Sequence, residues 1–544
     1  MANEDDQQPA DQEAPTSASD GTIVLEGPGI DPTGAAVSTA AVQALFASAP
    51  EGSTLVVPGA AVIALDATLV IDRRLALRGS GELRWTAGIV SAPALRVTAP
   101  QTAIREVRLT NPNHLGSGTG ARNIGIDIRA SDVLVDGVRI VGFQNGVVNE
   151  ASGEFEGTIV TNCHVVDVVG AGGGAGSPSS LGEDRGDGIT IWGARAIVDG
   201  NVVAALAGTD ARIGIHAEAL PDFKVNPGDY PDAMFSVIGN VVSGPFRRGI
   251  AFEGVSHATA SGNTVSDSTW WGIAAIDTRE TSISGNTVRW TRTAEDKQGS
   301  AWAPVRGPIM LYRDTQGAVV TGNVIEIRGE AVSAIRLEDA TMPTGDTSIR
   351  YGAVDAVVSD NVVRINGGSC SSGIVLLQAV RPLVIGNRVA VTAGADRVGG
   401  VVSYLCTDAV IADNSVSGVD QATGAGIRHE GAGGVHVSGN QVAAFKVGIS
   451  IVNTTAGMTV VGNTVAGCAT GLDTYGSSGR SRVEANRFTV SGTVHVNAQP
   501  ATSFLTTRHM GTARPAGGGS GDILVGSGLL WVNDQGTWRS VKVS

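Results

Sequence analysis

A Gly-Asn pair returns along this sequence at a nearly constant interval. Asn240, Asn263 and Asn286 are 23 residues apart, and each lies in the frame apolar–x–Gly–Asn–x–Val. A second signature, Gly-Ile, falls halfway through the period, at Gly249 and Gly272. A fixed period of about 20 to 50 residues indicates a repeat architecture, and short Val/Ile strands without a helical pattern indicate a β-solenoid. The sequence therefore predicts an all-β solenoid.

The spacing of the asparagines also gives the length and the number of the coils. The marker residues are Asn162, Asn201, Asn240, Asn263, Asn286, Asn323, Asn361, Asn387, Asn414, Asn440, Asn463 and Asn486. Seven of the eleven intervals are 23 to 27 residues, and the other four are 37 to 39, or one coil plus an insertion. We expect the asparagines to be structural, since Asn tolerates a left-handed corner and stacked amides can bond to one another. About 14 coils spaced by roughly 4.8 Å would give a rod of about 65–70 Å.

Four insertions are predicted, and all fall between Asn162 and Asn361. They occupy residues 170–188, 219–233, 291–306 and 340–352. A solenoid places its insertions on one face, and such faces often bind ligands. One half of the rod is therefore the expected functional half.

Composition excludes several classes of protein. The net charge is −14, from 38 basic and 52 acidic residues, without the basic cluster of a nucleic-acid-binding protein. The four cysteines are far apart, so we expect buried thiols and neither disulfides nor a metal site. No cofactor is expected. Only four of the basic residues are Lys, which indicates a GC-rich genome.

The two ends of the chain differ from the repeats. Residues 1–20 are acidic and polar, so we expect disorder, or a docking segment that orders on a partner. Neither a signal peptide nor a run long enough to cross a membrane is present, so export by that route and membrane insertion are not expected. A short amphipathic helix is predicted after Ser38, with Val42 and Phe46 on its apolar face. It would cap the open end of the solenoid.

The helix and the strands after it carry a specific resemblance. The segment GIDPTGAAVSTAAVQALFASAPEGSTLVVPGA, residues 29–60, resembles the entry segment of pectate-lyase-like right-handed β-helix proteins. These include bacteriophage tailspikes and polysaccharide-cleaving enzymes. The resemblance covers roughly residues 25–490 and implies a right-handed, single-stranded parallel β-helix of three sheets.

The chain is accordingly divided into five parts. These are an acidic N-terminal segment (1–20), a capping helix with entry strands (21–64), the parallel β-helix (65–490), a connector with a Gly-rich linker (491–520) and a C-terminal β-hairpin module (521–544). The hairpin is predicted from two β-type runs around Asn533-Asp534-Gln535-Gly536. It resembles small C-terminal modules of phage fibres and spikes; alternatively it caps the last coil.

The Gly-Ile frame predicts which side chains point outward. Residues one and three after the glycine should face the core, and residues two and four should form outward columns. Glu218 and Glu253 then lie in one column on neighbouring coils, with backbones about 4.8 Å apart. Asp277 follows just beyond the end of the next strand. A carboxylate pair about 5 Å apart suits a retaining glycosidase, and aromatic rings suit sugar stacking.

Glu218, Glu253 and Asp277 are therefore the candidate catalytic residues. The candidate substrate-binding residues are Trp192, His216, Trp270, Trp271, Tyr312, Arg313, Arg336 and Glu338. Two other interpretations stay open, namely sugar binding without cleavage and an ordinary solvated surface. The motifs of polygalacturonases, pectate lyases and mannuronan epimerases are not found.

The resemblance favours a bacteriophage tailspike or tail fibre that recognises a host surface polysaccharide. If it is an enzyme, it would be a depolymerase, either a glycoside hydrolase or a lyase. Such spikes are homotrimers in the virion tail, made in the host cytoplasm, and the N-terminal segment would dock to other tail or baseplate proteins. The alternatives are a non-catalytic structural or adhesion protein of the virion, and a free carbohydrate-active enzyme of a high-GC bacterium.

Overall fold

The chain forms a right-handed parallel β-helix of three long sheets. The computed structural model describes residues 21–86, 89, 92–112, 123–149, 155–170, 186–208, 211–218, 232–292, 307–338, 353–367, 370–392, 399–419, 424–431, 433–478 and 481–496, and strands between residues 502 and 542. The predicted fold class is confirmed.

Each coil contributes one strand to each sheet in turn. Sheet 1 contains Thr22–Val24, Thr54–Val56, Ala76–Arg78, Ala103–Arg105, Leu134–Asp136, Ile159–Thr161, Ile197–Asp199, Ser236–Ile238, Thr259–Ser261, Ser282–Ser284, Val319–Thr321, Val357–Ser359, Leu383–Ile385, Ala409–Ala412, Val435–Ser438, Met458–Val461, Ser481–Glu484 and Thr502–Leu505. Sheet 2 contains Val62–Leu65, Glu82–Trp85, Arg108–Thr110, Arg139–Val141, His164–Val168, Val202–Ala205, Val241–Ser243, Thr264–Ser266, Thr287–Trp290, Val324–Ile327, Val362–Ile365, Arg388–Val391, Ser415–Ser417, Gln441–Ala443, Thr464–Ala466, Arg487–Thr489 and Thr507–His509. Sheet 3 contains Leu69–Ile71, Pro93–Val97, Ile124–Ile128, Asn145–Asn149, Asp187–Trp192, Ala211–Glu218, Phe246–Glu253, Trp271–Arg279, Gly307–Gln316, Ala331–Glu338, Cys370–Leu377, Gly399–Tyr404, Ala425–Glu430, Val447–Val452, Thr470–Asp473 and His495–Val496.

The rod is longer than the spacing of the asparagines predicts. Sheet 3 has 16 strands, and each closes one coil, so there are two more coils than the expected 14. At roughly 4.8 Å per coil the rod is about 77 Å long. The extra coils lie before Asn162, the first marker, where sheet 3 has four strands and no Gly-Asn pair signals a coil.

A continuous ladder of buried asparagines joins sheets 1 and 2 at one corner. Its members are Asn201, Asn240, Asn263, Asn286, Asn323, Asn361, Asn387, Asn414, Asn440, Asn463 and Asn486, each at most 1% exposed. The Oδ1 of Asn263 accepts a hydrogen bond from the backbone N–H of Asn240 at 2.9 Å and from its Nδ2 at 3.0 Å. The Nδ2 of Asn263 in turn donates to Asn286 and to the carbonyl of Val237, both at 2.9 Å. Every buried polar atom of the side chain is thereby paired, which is what makes its burial stable.

The expected reason for asparagine at this corner is wrong, because the left-handed residue is the one before it. Gly239 has a φ of 65° and Gly262 a φ of 64°, whereas Asn240 and Asn263 are not left-handed. Asn162 also belongs to the left-handed position, with a φ of 54°. It is therefore not a ladder member, although its type and spacing match.

The frame glycines of sheet 3 are required by packing. A Cβ on Gly249 would lie well inside the contact distance of Val265 Cγ1 in the next coil and 2.5 Å from the carbonyl oxygen of Gly272. The same approach of a valine methyl recurs in most coils, for example at Gly214 and at Gly426. The lack of a side chain at these positions lets the apolar interior pack at the density typical of native proteins.

The single described helix, Thr39–Ser48, covers the first coil. Val42 and Phe46 are buried in the core, as predicted. The side chain of Gln43 donates to the carbonyl of Val70 at 3.1 Å and accepts from its N–H at 2.8 Å. Because Val70 lies in the edge strand of sheet 3, one glutamine satisfies backbone groups that would otherwise be unpaired.

The parallel ladder runs past Val490, where the sequence predicts that the solenoid ends. His495–Val496, Thr502–Leu505 and Thr507–His509 pair in parallel with the preceding coil. These strands were missed because no Gly-Asn pair follows Asn486. The rest of the domain division stays a prediction.

Three strands follow, and they form an antiparallel meander rather than a two-stranded hairpin. They are Ile523–Gly526, Leu529–Asp534 and Thr537–Lys542, and the first also pairs in parallel with Thr507–His509. The N-terminal segment, the Gly-rich linker and nearly all of the four predicted insertions lie outside the described residues.

We predict that Asn263→Ala destabilises the fold by about 3 kcal/mol, since it removes the partner of the buried backbone N–H of Asn240 and of the carbonyl of Val237 and one of the bonds of the Asn240 amide. The measurement is the shift of the urea unfolding midpoint. Asn162→Gly is the matched control, because it changes an exposed asparagine at a left-handed corner, and it should stay within about 0.5 kcal/mol of wild type. Equal effects of the two substitutions would contradict the structural role of the ladder.

Candidate functional site

Sheet 3 is widest in the coils that carry the predicted insertions. Its strands there are 8 to 10 residues long, from Ala211–Glu218 through Gly307–Gln316, whereas most strands of sheets 1 and 2 have 3 or 4 residues. The observed register reproduces both outward columns. One column contains Thr190, His216, Ala251, Ala274, Met310 and Arg336, and the other contains Trp192, Glu218, Glu253, Ile276, Tyr312 and Glu338.

This outward face is more deeply buried around the two candidate glutamates than at several positions in later coils. Glu218 and Glu253 are each 5% exposed, and His216 is fully buried. In the later coils Tyr404, in the same column as Glu253, is 41% exposed. The carboxylates thus lie in a protected environment, in which charges interact more strongly than on an open sheet.

Seven polar side chains on this face form one buried network, which we call the His216 cluster. Its members are Asp187, Thr190, Arg212, His216, Glu218, Arg248 and Glu253. The Nε2 of His216 lies 3.5 Å from Oε2 of Glu218 and 3.8 Å from Oε1 of Glu253. Both candidate carboxylates therefore converge on one imidazole nitrogen.

The two ring nitrogens of His216 have different neighbours. A guanidinium can only donate, and Nη2 of Arg212 lies 2.9 Å from Nδ1 of His216. In this contact Nδ1 is the acceptor, and it also lies 3.5 Å from Oδ2 of Asp187. Nε2 is buried beside Glu218 and Glu253 without a hydrogen bond to either.

Cations balance the acids of the cluster. Burial by itself would raise the pKa of Asp187, but Arg212, His216 and Thr190 outweigh it and lower the pKa below its ordinary value. Thr190 Oγ1 donates to Asp187 at 2.9 Å. Arg248 forms an ion pair with Glu253, which stabilises the negative charge of that carboxylate.

An apolar patch adjoins the cluster on the same face. Trp270 is 8% and Trp271 4% exposed, and they pack with Ile213, Ala251, Ala274, Ile276 and Met310. Tyr312 packs against this patch, its ring centroid 5.8 Å from that of Trp271. The side chains of Arg247 and Arg248 lie over the two indole rings at 5.1 Å. The indole Nε1–H of Trp192, which is paired in register with Glu218, has no described hydrogen-bond partner.

The third candidate carboxylate lies apart from the other two. Asp277 is in the left-handed corner after its strand, with a φ of 51°, and forms an ion pair with Arg313. Burial raises its pKa, although Arg313 partly offsets this. Further along the rod, Arg336 donates from Nε to Glu338 at 2.7 Å. The structure thus unites Glu218, Glu253 and His216 and leaves Asp277 and Arg336 in separate ion pairs.

Sequence reasoning missed Asp187 and Arg248, which are essential to the cluster. Both come immediately before a frame glycine, and there the strict alternation breaks, since the glycine and the residue after it both face the interior. The signal was present as a charged residue directly before Gly-Ile, in GDGI and in RRGI.

Comparison with known proteins assigns the chain to a family. Residues 179–334 and 296–512 match the family model described as "Periplasmic copper-binding protein (NosD)", and together these stretches are more than half of the chain. No curated protein matches the chain. In the described part of the chain, no helix has the length and apolar character needed to span a membrane.

Several solved structures share the β-helix architecture at low identity. The tailspike protein of E. coli bacteriophage HK620, in complex with pentasaccharide, is 11% identical with a TM-score of 0.43, over 82% of this chain and 76% of that one. PfbA, a surface adhesin of Streptococcus pneumoniae, is 10% identical with a TM-score of 0.38, over 94% and 98%. The periplasmic alginate epimerase AlgG is 11% identical with a TM-score of 0.31, over 85% and 84%. Likenesses this remote carry no information on activity.

We predict that Asp187→Asn destabilises the protein by about 3 kcal/mol at pH 7, because it removes one partner of a buried ion pair. The folded-state pKa of Asp187 is lowered, so its stabilisation is present above the ordinary value of about 4 and is lost as the pH falls through the folded-state pKa. The difference from wild type, measured by urea unfolding, should therefore shrink between pH 7 and pH 3.

Asp277→Asn is the matched contrast, since the pKa of Asp277 is raised. Folding disfavours the charged form of the Asp277 carboxyl, so the wild-type protein loses this part of its stability as the pH rises from 3 to 7. Asparagine does not ionise, so the Asp277→Asn variant should gain stability relative to wild type over the same range. The same pH trend for both variants would contradict the assignment of the two environments.

Proposed function

This chain belongs to the NosD family of β-helix proteins, and we propose that its role is to bind polysaccharide and to cleave it at Glu218 and Glu253. The observation that carries the proposal is the convergence of these two carboxylates, on neighbouring strands, upon Nε2 of His216. Paired carboxyl groups beside an aromatic surface are the groups that glycosidic cleavage needs.

The two carboxyl groups are proposed to have different roles, because their partners differ. Glu253 is held as a carboxylate by Arg248 and would act as the nucleophile or stabilise positive charge on the sugar ring. Glu218 faces the imidazole of His216 rather than a guanidinium in the described contacts, and it would protonate the leaving oxygen. Register on adjacent strands favours a retaining mechanism, which needs a separation of about 5 Å.

The flanking side chains would position the sugar. Tyr312, which is half-buried at the edge of the apolar patch, would present ring surface for stacking, and the unpaired Nε1–H of Trp192 can donate to a hydroxyl. His216, Asp187 and Arg212 are positioning residues. Binding without cleavage is the coarser form of the same proposal, and it needs only the aromatic and polar surface.

Copper, which the family description names, does not fit the described residues. Among them no group of three or more His, Cys, Asp or Glu side chains is arranged to hold a metal ion. The four cysteines are buried separately, and burial raises the pKa of Cys163 and that of Cys370 to about 12. A neutral buried thiol is a poor ligand, since metals bind the thiolate.

In its finer form the proposal makes this chain a homotrimeric tailspike or tail fibre of a bacteriophage. The acidic segment at residues 1–20 would dock to the tail, and the glycan would be a host surface polysaccharide. The support comes from the sequence resemblance at residues 29–60. The alternative, a free carbohydrate-active enzyme of a bacterium, is favoured by the word "periplasmic" in the family description.

We expect Glu218→Gln and Glu253→Gln each to slow cleavage by at least about 100-fold, because each removes a carboxyl group that acts in the transition state. The measurement is reducing-end release from a panel of purified capsular, O-antigen and uronate polysaccharides, with ultraviolet absorbance of an unsaturated product to detect a lyase.

Glu430→Gln is the matched control, since Glu430 lies in the same outward column, beside Arg428, on the open part of the face. It should keep full activity. If the wild-type protein binds a polysaccharide but releases no reducing ends, catalysis is rejected and recognition is retained. If it neither binds nor cleaves any polysaccharide of the panel, the whole proposal is rejected.

The trimer can be tested independently of catalysis. Light scattering on the full chain should give about three times the chain mass of 55.1 kDa. A concentration-independent monomer would contradict the tailspike form and favour the free enzyme.

A further inference from the structure

A cavity with two arginines and a glutamate in its walls lies on sheet 2, in early coils that precede the His216 cluster. It has a volume of about 210 Å³. Its walls are the outward side chains of Glu82–Trp85 and Arg108–Thr110 together with Asn111, Pro112 and Val141. It is smaller than the pocket of a drug-sized ligand, so it suits a single small ring or an acid of similar size.

The cavity has a positive excess arranged around one carboxylate. Glu82, 7% exposed, accepts from Nε of Arg84 and from Oγ1 of Thr110, both at 2.6 Å. Nε of Arg108 lies farther away, at 3.6 Å from Oε2. Burial opposes the charge on Glu82, but Arg84, Thr110 and Arg108 outweigh it, so the pKa of Glu82 is lowered.

Two guanidinium groups thus share one acid. Arg139, in register with Arg108, adds a further cation to the column. About half of the side-chain surface of Arg108 is exposed to solvent, and its Nε lies 3.6 Å from Glu82. Its planar guanidinium group is therefore available to a second carboxylate.

The amide of Asn111 is the second, independent observation. Asn111 is fully buried, yet neither its Oδ1 nor its Nδ2 has a hydrogen-bond partner. An unpaired buried polar group costs about 1–3 kcal/mol, so such an amide calls for a specific explanation. It lines the cavity between Thr110 and Pro112, where it can both donate and accept.

We propose that this cavity binds a hydroxylated carboxylate of monosaccharide size, such as a uronic acid. The carboxylate pairs with Arg108, and the ring hydroxyls bond to the amide of Asn111 and the hydroxyl of Thr110. The occupant is either a free uronic acid or a uronate unit of a longer chain, which present the same chemistry. This site is on a different sheet from Glu218 and Glu253 and does not depend on cleavage there.

The test is calorimetric titration of the full chain with D-glucuronate and, as the neutral match, D-glucose. Glucuronate should bind at least tenfold more tightly than glucose. Arg108→Gln and Asn111→Asp should each weaken glucuronate binding at least tenfold, the first by removing a cation and the second by adding a like charge. A glucuronate oligosaccharide separates the two sources, since a free acid site would bind it more weakly than the monosaccharide.

Two controls keep the outcome specific. Arg482→Gln removes an arginine of a surface ion pair with Glu484 on sheet 1 and should leave binding unchanged. Arg428→Gln, which removes an arginine of a surface ion pair with Glu430 on sheet 3, should also leave binding unchanged. No glucuronate binding by wild type, or undiminished binding by a folded Arg108→Gln variant, would overturn the proposal.

Discussion

The amide ladder from Asn201 to Asn486 is the interaction on which the rest of this structure depends. Each side chain bonds to the next coil and to a backbone carbonyl of the preceding one, so it fixes the corner between sheets 1 and 2 in the coils from Asn201 to Asn486. The strands of sheet 3 in these coils stay in register, apart from one irregularity between Ile276 and Thr278. That constancy is why residues far apart in sequence, such as Glu218 and Glu253, stand side by side.

The part of the rod that contains the His216 cluster differs from the later coils in what its outward face contains. In those later coils several outward positions of sheet 3 are half-buried or exposed, as at Tyr404. Around His216 the same positions hold buried acids with guanidinium partners, beside a patch of aromatic rings. In a solenoid the outward side chains can vary without changing the core, because each core side chain packs only within its own coil and against the neighbouring coils.

The fold could be predicted from the sequence because its signal is local and repeated. Gly-Asn and Gly-Ile mark the corner and the strand, and alternation along the strand then gives the outward columns correctly. The exceptions have physical causes. Asn162 has the spacing of a ladder residue but lies at the left-handed corner. The ladder position of that coil is occupied by Cys163, which has no side-chain amide. Asp187 and Arg248 escaped notice because alternation breaks at the glycine. The burial of Glu218 could not be predicted, since it depends on what packs over the strand. The roles of the site residues stay predictions.

The two ends of the rod bear on how the molecule behaves among its own copies. A stack of parallel strands is a template that another copy could extend indefinitely. At the first coil, Gln43 occupies both hydrogen-bonding groups of Val70, and the helix that carries it lies over the apolar interior. At the other end, strand Ile523–Gly526 pairs with the last strand of sheet 2 and turns the ladder antiparallel. At each end of the described ladder, the edge of one sheet is therefore closed to a further parallel strand.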